Sequence, residues 1–469
     1  AHIPGLVQRN AFRVAVRDRF HLDQLRIHVV RAGLGHRGQG IGCHPRPAAD
    51  TEVDALFERL RTLLTGVTPA SQRAIRLSVG EPQHETPALI TEALIAHVAG
   101  LASYPLTAGS DRLREAIAGW FTRRYGLTSL SPATEVLPVN GSREALFSFA
   151  QVVLAPATDA TVICPNPFYQ IYEGAALLAG ARTWFVNQTA DNGFRFDLDA
   201  VPVEVWQRCR LLFTCSPGNP TGAVMSLSDW KALFELSDKY GFIIASDECY
   251  SEIYFDEGKA PLGALDAARQ LGRDEFPRLV MFSSLSKRSN VPGMRSGFVA
   301  GDAAVIKQYL LYRTYHGCPM SPPVQAASAT AWGDEAHVIE NRRLYREKFV
   351  SALSILKPVC DVDWPDAAFY LWLPTRGSDT DFARRLYIEK NVTVLPGSFL
   401  ARDSAGVNPG TNRVRVALVS TVAECAESAR RSNKRLNGID RAEDVALMDE
   451  RDDTRALVNH SRQIIEIQP

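Results

Sequence analysis

The chain has no excess of charge of either sign and very few lysines. Lys and Arg together number 52, as do Asp and Glu, in a sequence of 469 residues. This balance gives no electrostatic argument for binding nucleic acid or a membrane surface. No apolar run approaches the roughly 18–20 residues that a membrane-spanning helix needs. Only nine of the 52 basic residues are Lys, and Lys231 is the first, so chemistry that requires an amine nucleophile has few candidates.

The cysteine pattern and the N-terminus exclude further classes. The eight Cys are scattered without a Cys-x-x-Cys pair, and several, such as Cys164 and Cys215, lie inside apolar runs. This is typical of reduced thiols in the core of a cytoplasmic protein rather than of a disulfide framework, and no metal site is predicted. The N-terminus lacks a charged segment followed by an apolar one, so no secretory signal is predicted and we expect a cytoplasmic protein.

Length and composition predict a globular protein of two or three domains. Hydrophobic residues are 46% and charged residues 22%, which are ordinary globular values. Residues 1–50 differ, with eight Arg, no Lys and five of the ten His. They are either a basic arm for an anionic partner or a tail that is disordered or not native to the folded protein, and we favour the tail. Residues 432–469 are likewise an unassigned C-terminal tail.

Between these ends, helical patterns alternate with short apolar runs. Apolar residues at three- and four-residue spacing predict helices over residues 54–64, 87–98, 110–125, 142–154, 227–240 and 341–356. Runs rich in Val, Ile, Leu and Phe predict strands over residues 135–139, 161–164, 182–186, 210–215, 242–246, 279–283 and 297–300. This alternation indicates an α/β fold with a mostly parallel sheet.

Reactive side chains follow four of these predicted strands. The segments are 140–143 (Asn-Gly-Ser-Arg), 216–222 (Ser-Pro-Gly-Asn-Pro-Thr-Gly), Asp247 with Tyr250, and 284–288 (Ser-Leu-Ser-Lys-Arg). Each alone is more often a turn, a helix cap or a solvated side chain. Ligands of open parallel sheets bind outside the carboxyl ends of the strands, so the four segments are expected to share one edge and one site.

An amine, a carboxylate, a phenol, an amide and a helix N-terminus on one edge match the needs of pyridoxal 5′-phosphate. A lysine amine bonds covalently to the cofactor's aldehyde, and the nearby cations Arg288 and Arg295 would lower its pKa. A carboxylate keeps the pyridine nitrogen protonated, while a phenol and an amide bond the ring oxygen. Backbone N–H groups, hydroxyls and Arg bind the phosphate, and an aromatic ring stacks on the cofactor.

Three of the segments resemble the class I aminotransferases of PLP fold type I. They are residues 216–222, 246–250 (Ser-Asp-Glu-Cys-Tyr) and 283–298 (Ser-Ser-Leu-Ser-Lys-Arg-Ser-Asn-Val-Pro-Gly-Met-Arg-Ser-Gly-Phe), in the same order and at similar separations. The resemblance covers about residues 50–430. Within the family it is closest to the proteobacterial succinyldiaminopimelate transaminases, on residues 137–147 and 310–318 and on the sequence after Lys287. Ser216, where many class members have Asn, also fits this subgroup.

The resemblance implies a large PLP-binding domain over residues 80–320, with a mostly parallel sheet flanked by helices. Residues 51–79 with 321–431 would form a smaller α+β domain. It also implies a transaminase that interconverts N-succinyl-LL-2,6-diaminopimelate and 2-oxoglutarate with N-succinyl-2-amino-6-oxopimelate and glutamate, in lysine and diaminopimelate biosynthesis.

Three alternatives stay open. Another class I aminotransferase of the aspartate or alanine type, or a β-lyase, would use the same scaffold. A PLP-binding transcription regulator would need an N-terminal winged helix, and residues 1–50 show no helix-turn-helix pattern.

The resemblance also implies roles for individual residues. Lys287 is the covalent lysine and the base that moves the proton, Asp247 faces the pyridine nitrogen, and Tyr250 and Asn219 bond the ring oxygen. The implied phosphate contacts are Gly141, Ser142, Arg143, Ser284, Ser286 and Arg295. Tyr169 stacks on the ring, with Phe168 as the alternative one position away.

Substrate and partner contacts follow in the same way. Arg415 clamps the substrate α-carboxylate, with Arg413 as the alternative, and the backbone of Gly80 lies beside that carboxylate, as does Asn219. Tyr104 resembles the tyrosine that reaches the phosphate of the neighbouring subunit, which implies a homodimer. For the distal succinyl carboxylate, His316, Arg288 and Arg73 are candidates, each of which also has a structural explanation.

Overall fold

The computed structural model describes residues 56–154 and 159–436. The interpretation of residues 1–50 therefore lies outside the described residues. Every predicted helix and strand is present, and the largest difference in bounds is the helix predicted from residue 341, which begins at Ala336. The last described helix continues to Leu436, whose side chain is buried in an apolar cluster, so it includes the first residues of the predicted C-terminal tail, and the rest of that tail lies outside the described residues.

The described helices are α1 (Leu56–Leu63), α2 (Ala88–Ala96), α3 (Asp111–Tyr125), α4 (Ser142–Leu154), α5 (Ile171–Leu178), α6 (Val203–Arg208), α7 (Leu227–Tyr240), α8 (Ala264–Gln270), α9 (Leu285–Arg288), α10 (Ala303–His316), α11 (Pro322–Gly333), α12 (Ala336–Leu356), α13 (Asp379–Lys390) and α14 (Val422–Leu436). Short 3₁₀ helices cover Val98–Ala102, Ala190–Asn192, Pro292–Met294 and Gly397–Phe399. None of these described helices is long and apolar enough to cross a bilayer.

The described strands are β1 (Ile75–Arg76), β2 (Val136–Val139), β3 (Thr161–Asn166), β4 (Arg182–Asn187), β5 (Cys209–Cys215), β6 (Ile243–Asp247), β7 (Leu279–Ser284), β8 (Gly297–Gly301), β9 (Tyr370–Pro374), β10 (Val392–Thr393), β11 (Leu395–Pro396) and β12 (Arg413–Ala417). Seven form a central sheet in the order β2-β8-β7-β6-β5-β3-β4. β8 pairs antiparallel with both β2 and β7, and the other pairs of this sheet are parallel. The predicted α/β fold with a mostly parallel sheet is confirmed.

Local sequence signals set the helix ends. The Ser110 side chain accepts a hydrogen bond from the backbone N–H of Leu113 at the start of α3, and Gly126 ends that helix in the left-handed conformation. Helix α7 begins with a capping box between Ser226 and Asp229. These caps satisfy backbone groups that a helix end leaves without partners, so the predicted and observed bounds agree closely.

Apolar side chains cover both faces of the central sheet. Successive strand residues point to opposite faces, so Ile163 packs in one cluster and Val162 in the other. Trp120 of α3 and Trp332 of α11 belong to the first cluster, and Tyr309 of α10 to the second. Helices on both faces bury β3 and β7 along their whole length, whereas the edge strand β4 is only partly buried.

A further apolar cluster lies around a smaller antiparallel sheet in the order β11-β12-β9. Helices α12, α13 and α14 contribute to this cluster, which includes Phe349, Phe382 and Cys425. Helix α11, which the sequence interpretation assigned to the small domain, instead buries Ala327, Ala331 and other side chains beside Trp120. We propose that the domain division falls after Gly333 rather than at residue 320.

Replacing Trp120 by Ala should lower the free energy of unfolding by about 3–5 kcal/mol, because the side chain is fully buried and a cavity would remain. Its ring centroid lies 5.0 Å from that of Trp332 and 5.8 Å from that of Phe298. Urea denaturation followed by circular dichroism measures the change. The control is Leu178→Ala at an exposed position, expected to stay within about 0.5 kcal/mol. Equal effects of the two substitutions would contradict this packing.

Candidate active site

The candidate site lies at the carboxyl ends of β5, β6 and β7. Cys215 at the end of β5 pairs in register with Asp247 at the end of β6, and β7 continues directly into α9. Residues 77–86, here called the covering segment, cross the same edge, and the Gly80 carbonyl accepts a hydrogen bond from the Lys287 amine. The strand ends therefore meet where the sequence predicted.

The Lys287 amine is buried against the covering segment. Its Nζ donates to the Gly80 carbonyl oxygen at 2.6 Å. Burial is the largest cause that lowers the pKa of Lys287 to about 8. The charges of Cys249 and Glu81 oppose this shift, and the positive charges of Arg415 and Arg295 support it. An amine with this pKa is partly neutral near pH 7, which is what a nucleophile or a base requires.

Arg288 was expected to lower the pKa of Lys287. Its guanidinium instead interacts with other neighbours. Its buried guanidinium donates to the Ala331 carbonyl oxygen at 2.7 Å and pairs with Glu335, also at 2.7 Å. It also lies over the Trp332 ring, with its central carbon 4.8 Å from the centroid. Arg288 therefore fastens α9 to α11.

Asp247 is a buried carboxylate that forms no direct ion pair with the described side chains. It accepts hydrogen bonds from the Tyr172 hydroxyl at 2.7 Å and from the Cys249 backbone N–H at 3.3 Å. Burial raises its pKa, while those hydrogen bonds and the charge of Lys287 lower it. Asp247 pairs in register with Phe282 of β7, and Lys287 follows the end of β7, so the two groups lie at neighbouring strand ends.

The Arg415 guanidinium is also buried, and neutral acceptors hold it in position through hydrogen bonds. It donates to the Asn219 side-chain oxygen at 2.9 Å and to the Ser78 carbonyl oxygen at 2.7 Å, and its Nε has no described partner. Arg413, the alternative, donates to the Trp372 carbonyl oxygen and lies over the ring of Phe194. Of the two arginines, the site contains Arg415.

Tyr250 and Tyr370 form a pair of phenols beside Arg415. Their hydroxyl oxygens lie 2.8 Å apart, and the Arg415 guanidinium carbon lies 4.5 Å from the centroid of the Tyr370 ring. A side chain at Gly80 would overlap the Tyr370 hydroxyl, so glycine allows the covering segment to approach this closely. Tyr370 was not predicted as a site residue, because in β9 it belongs to an apolar run that indicates only a strand.

Gly141 and Arg295 form a second, anion-accepting part of the site. Gly141 has a φ of +87° and precedes α4, whose first residues, Ser142 and Arg143, present backbone N–H groups at the helix N-terminus. A side chain at Gly141 would overlap the Arg295 guanidinium. The Ser142 hydroxyl accepts from the Cys249 thiol at 3.0 Å, which joins this part to the loop after Asp247.

Two further hydroxyls lie just before Lys287 in the sequence. Ser284 caps α9, and its hydroxyl oxygen accepts from the Ser286 backbone N–H at 3.1 Å. Both serines are buried. They belong to the turn that carries the lysine.

Tyr169, rather than Phe168, faces the site. Its hydroxyl accepts a hydrogen bond from Arg143 Nε, and the charge of Asp247 contributes to raising the pKa of Tyr169, for which burial is the largest cause. Phe168 is fully buried in an apolar cluster, with its ring centroid 4.8 Å from that of Phe185.

Other candidates lie apart from these groups. The Tyr104 side chain is fully exposed. The exposed His316 contacts the Cys318 thiol, and Arg73 pairs with Glu424. With Arg288 fastened to α11, none of the three candidates for the distal carboxylate contacts Lys287, Asp247 or Arg415.

Comparison with known proteins identifies the family. The model of the family "Aminotransferase class I and II" matches residues 72–431. The chain belongs to this family. An LL-diaminopimelate aminotransferase from Syntrophobacter fumaroxidans is 32% identical over 387 residues, which cover 81% of this chain and 95% of the relative.

Solved structures of aminotransferases are also similar to this chain. An aminotransferase from Neisseria meningitidis is 55% identical with a TM-score of 0.79, and the match covers 81% of this chain and 96% of that one. A probable N-succinyldiaminopimelate aminotransferase from Thermus thermophilus is 27% identical with a TM-score of 0.70, and the match covers 81% and 100% of the two chains. The aminotransferase therefore has PLP fold type I and depends on pyridoxal 5′-phosphate.

The described residues fit this cofactor. A protonated pyridine nitrogen would give the buried Asp247 the direct ion pair that the described side chains do not supply. A phosphate dianion would meet the N-terminus of α4 and Arg295, where Gly141 leaves room. The partly neutral Lys287 suits a covalent bond to an aldehyde.

In the aminotransferase without cofactor, Lys287 should react with acetic anhydride with a midpoint near pH 8, because only the neutral amine reacts. The same lysine in the unfolded chain should show a midpoint near about 10.4. The unfolded chain binds this proton more tightly than the folded chain. The contribution of Lys287 to the free energy of unfolding therefore rises as the pH increases from about 8 to about 10.4. Peptide mass spectrometry measures both midpoints, and equal midpoints would contradict the burial of the amine.

Proposed function

We propose that this aminotransferase transfers an amino group between glutamate and N-succinyl-2-amino-6-oxopimelate, giving 2-oxoglutarate and N-succinyl-LL-2,6-diaminopimelate. The observation that carries amino transfer is the grouping of a partly neutral lysine, a buried carboxylate and a buried guanidinium, the last two without a direct ion pair to a described side chain. The substrate is supported by the resemblance on residues 137–147 and 310–318, and by the name of the Thermus thermophilus relative.

Lys287 is proposed as the residue that bonds the cofactor and then moves the proton. Its amine carries the proton that leaves the substrate Cα, since a base with a pKa of about 8 can both accept and return a proton near neutral pH. The hydrogen bond to the Gly80 carbonyl oxygen aims the Nζ atom from one side. Pyridoxal 5′-phosphate, when bound, supplies a protonated ring that withdraws electrons from that Cα.

Asp247 is proposed to hold the ring nitrogen in its protonated form. Tyr172 keeps the carboxylate oriented through its 2.7 Å hydrogen bond. Tyr250 and Asn219 would donate to the ring oxygen, and Tyr169 would pack on the ring face, held by its hydrogen bond from Arg143.

The phosphate is proposed to bind at the start of α4. Backbone N–H groups and the helix dipole act together there, and Arg295 adds a positive charge. The assigned residues are Gly141, Ser142, Arg143, Ser284, Ser286 and Arg295.

Arg415 is proposed to clamp the α-carboxylate of either substrate. Its guanidinium is buried and meets only neutral acceptors among the described groups, so a carboxylate would restore charge balance. Asn219, which fixes the guanidinium, and the backbone of Gly80 would border the same carboxylate.

We further propose a homodimer in which Tyr104 reaches the phosphate of the partner subunit. Tyr104 follows a row of exposed apolar side chains, Ile95, Val98 and Leu101. Apolar side chains exposed together in this way are typical of an interface. A monomeric mass in sedimentation of the full chain would contradict the dimer.

The variant Lys287→Ala should lose the yellow absorption of the cofactor-bound enzyme and nearly all turnover, because no other described amine takes its place beside Asp247. After borohydride reduction, mass spectrometry should locate the cofactor adduct on Lys287 in the unaltered chain. Lys231→Ala, at an exposed lysine, is the matched control and should keep both properties. An adduct on another lysine would reject the assignment.

A second candidate function is supported by a specific comparison. Several relatives about 32% identical to this chain are named LL-diaminopimelate aminotransferases. On that evidence the chain would act on LL-diaminopimelate without a succinyl group. The two candidates share the cofactor and the α-carboxylate, so the site residues described above do not separate them.

An assay of glutamate formation from 2-oxoglutarate distinguishes the two candidates. It is run once with N-succinyl-LL-2,6-diaminopimelate and once with LL-2,6-diaminopimelate as the amine donor. We expect kcat/KM with N-succinyl-LL-2,6-diaminopimelate to exceed that with LL-2,6-diaminopimelate by at least about tenfold, or roughly 1.4 kcal/mol of transition-state binding. Aspartate and alanine serve as further donors under the same assay. A preference for the free diamine would favour the second candidate, and a preference for aspartate or alanine would reject both.

A further inference from the structure

A buried amide connects the covering segment with the backbone around Lys287. Asn341, in the second turn of α12, is only 1% exposed. Its Nδ2 atom donates to the carbonyl oxygens of Lys287 and Arg288, both at 3.3 Å. Its Oδ1 atom accepts from Asn290 Nδ2 at 3.0 Å and lies 2.7 Å from His84 Nδ1. The side chain thus uses all its hydrogen-bonding capacity at this point.

His84 acts as a neutral donor in this connection. Because Asn341 Oδ1 can only accept, the proton lies on His84 Nδ1. Burial, with a smaller effect from the charge of Lys348, lowers the pKa of His84 to about 4, against the opposing effects of Asn341 and Glu340. The Tyr345 ring packs at 4.7 Å between centroids. The imidazole is therefore uncharged near pH 7.

The same covering segment also holds the other end of Lys287. The Gly80 carbonyl oxygen accepts from the Lys287 amine at 2.6 Å, and the Thr86 hydroxyl donates to the Asn290 carbonyl oxygen at 3.0 Å. Between these contacts, His84 reaches Asn341, which bonds the Lys287 backbone. The lysine is held at both its backbone and its amine by groups connected through one short segment.

We infer that His84 and Asn341 are positioning residues that fix Lys287 by fastening the covering segment to the end of α9. The inference rests on the proposed role of Lys287. Neither side chain contacts the Lys287 amine, so both act through the backbone that they hold. If the connection breaks, the covering segment separates from the lysine, and water reaches the amine.

Two measurable consequences follow from such a break. Water at the amine removes the cause of its lowered pKa, so the pKa rises from about 8 towards the ordinary lysine value. Loss of alignment slows the proton transfer, since a displacement of about 1 Å can reduce a rate by as much as roughly 100-fold. Substrate binding at Arg415 depends on other contacts and should change little.

The test compares His84→Ala with His84→Asn in the full-length aminotransferase. For His84→Ala we expect kcat to fall about tenfold with KM within about twofold. The acetylation midpoint of Lys287 in the cofactor-free protein should rise by at least about 0.5 pH unit. His84→Asn should restore most of both properties, because the asparagine amide can donate from near the position of Nδ1.

Controls separate positioning from general stability. Ser354→Ala removes an exposed hydroxyl near the other end of α12, where it donates to the Ser351 carbonyl oxygen, and it should change neither readout. Asn341→Ala removes four hydrogen bonds at once and should exceed His84→Ala in both effects. If Asn341→Ala fails to fold, the His84 pair alone decides.

A lowered melting temperature of His84→Ala with an unchanged Lys287 midpoint and unchanged kcat would overturn the inference. That result would leave His84 with a structural role only. If borohydride reduction of the unaltered enzyme fixes the cofactor on a lysine other than Lys287, the proposed function itself is rejected. The two failures are therefore distinguishable, because the Lys287 midpoint is measured without any substrate.

Discussion

The burial of the Lys287 amine against a backbone carbonyl is the interaction on which the site depends. An ammonium group removed from water is unfavourable, so the amine binds its proton weakly and titrates near pH 8. The amine stays buried because the end of β7 positions Lys287 on one side and the covering segment, with Gly80, lies on the other. The central sheet supplies the first, and the pairing of β1 with β10 anchors the second.

Asp247 and Arg415 are, like Lys287, ionisable side chains that the fold removes from water. Each is buried among neutral partners, which costs stability unless a ligand of opposite charge is present. Large apolar clusters on both faces of the central sheet and around the smaller sheet compensate for that cost away from the site. Groups buried in this way are typical of functional sites, where binding energy replaces the missing partner.

Much of the fold could be predicted because its signals are local. The seven strands of the central sheet have apolar runs, and helices such as α3 and α7 have periodic apolar faces and caps. The two-residue strands β1, β10 and β11 are too short to show a pattern. The neighbours of α11 could not be predicted for a related reason, since its alanines indicate burial without indicating which cluster buries them.

The sequence by itself determined the order of helices and strands, the cofactor chemistry and the segments that carry the reactive groups, because these depend on residue type and spacing along the chain. Only the tertiary structure decided that Tyr169 rather than Phe168 faces the site, that Arg288 bonds to α11, and that Tyr370 enters it. It also decided that Asn341 meets His84 across 257 positions. The physical reason is that a local period tells whether a side chain is buried, whereas its partner is set by how distant segments pack.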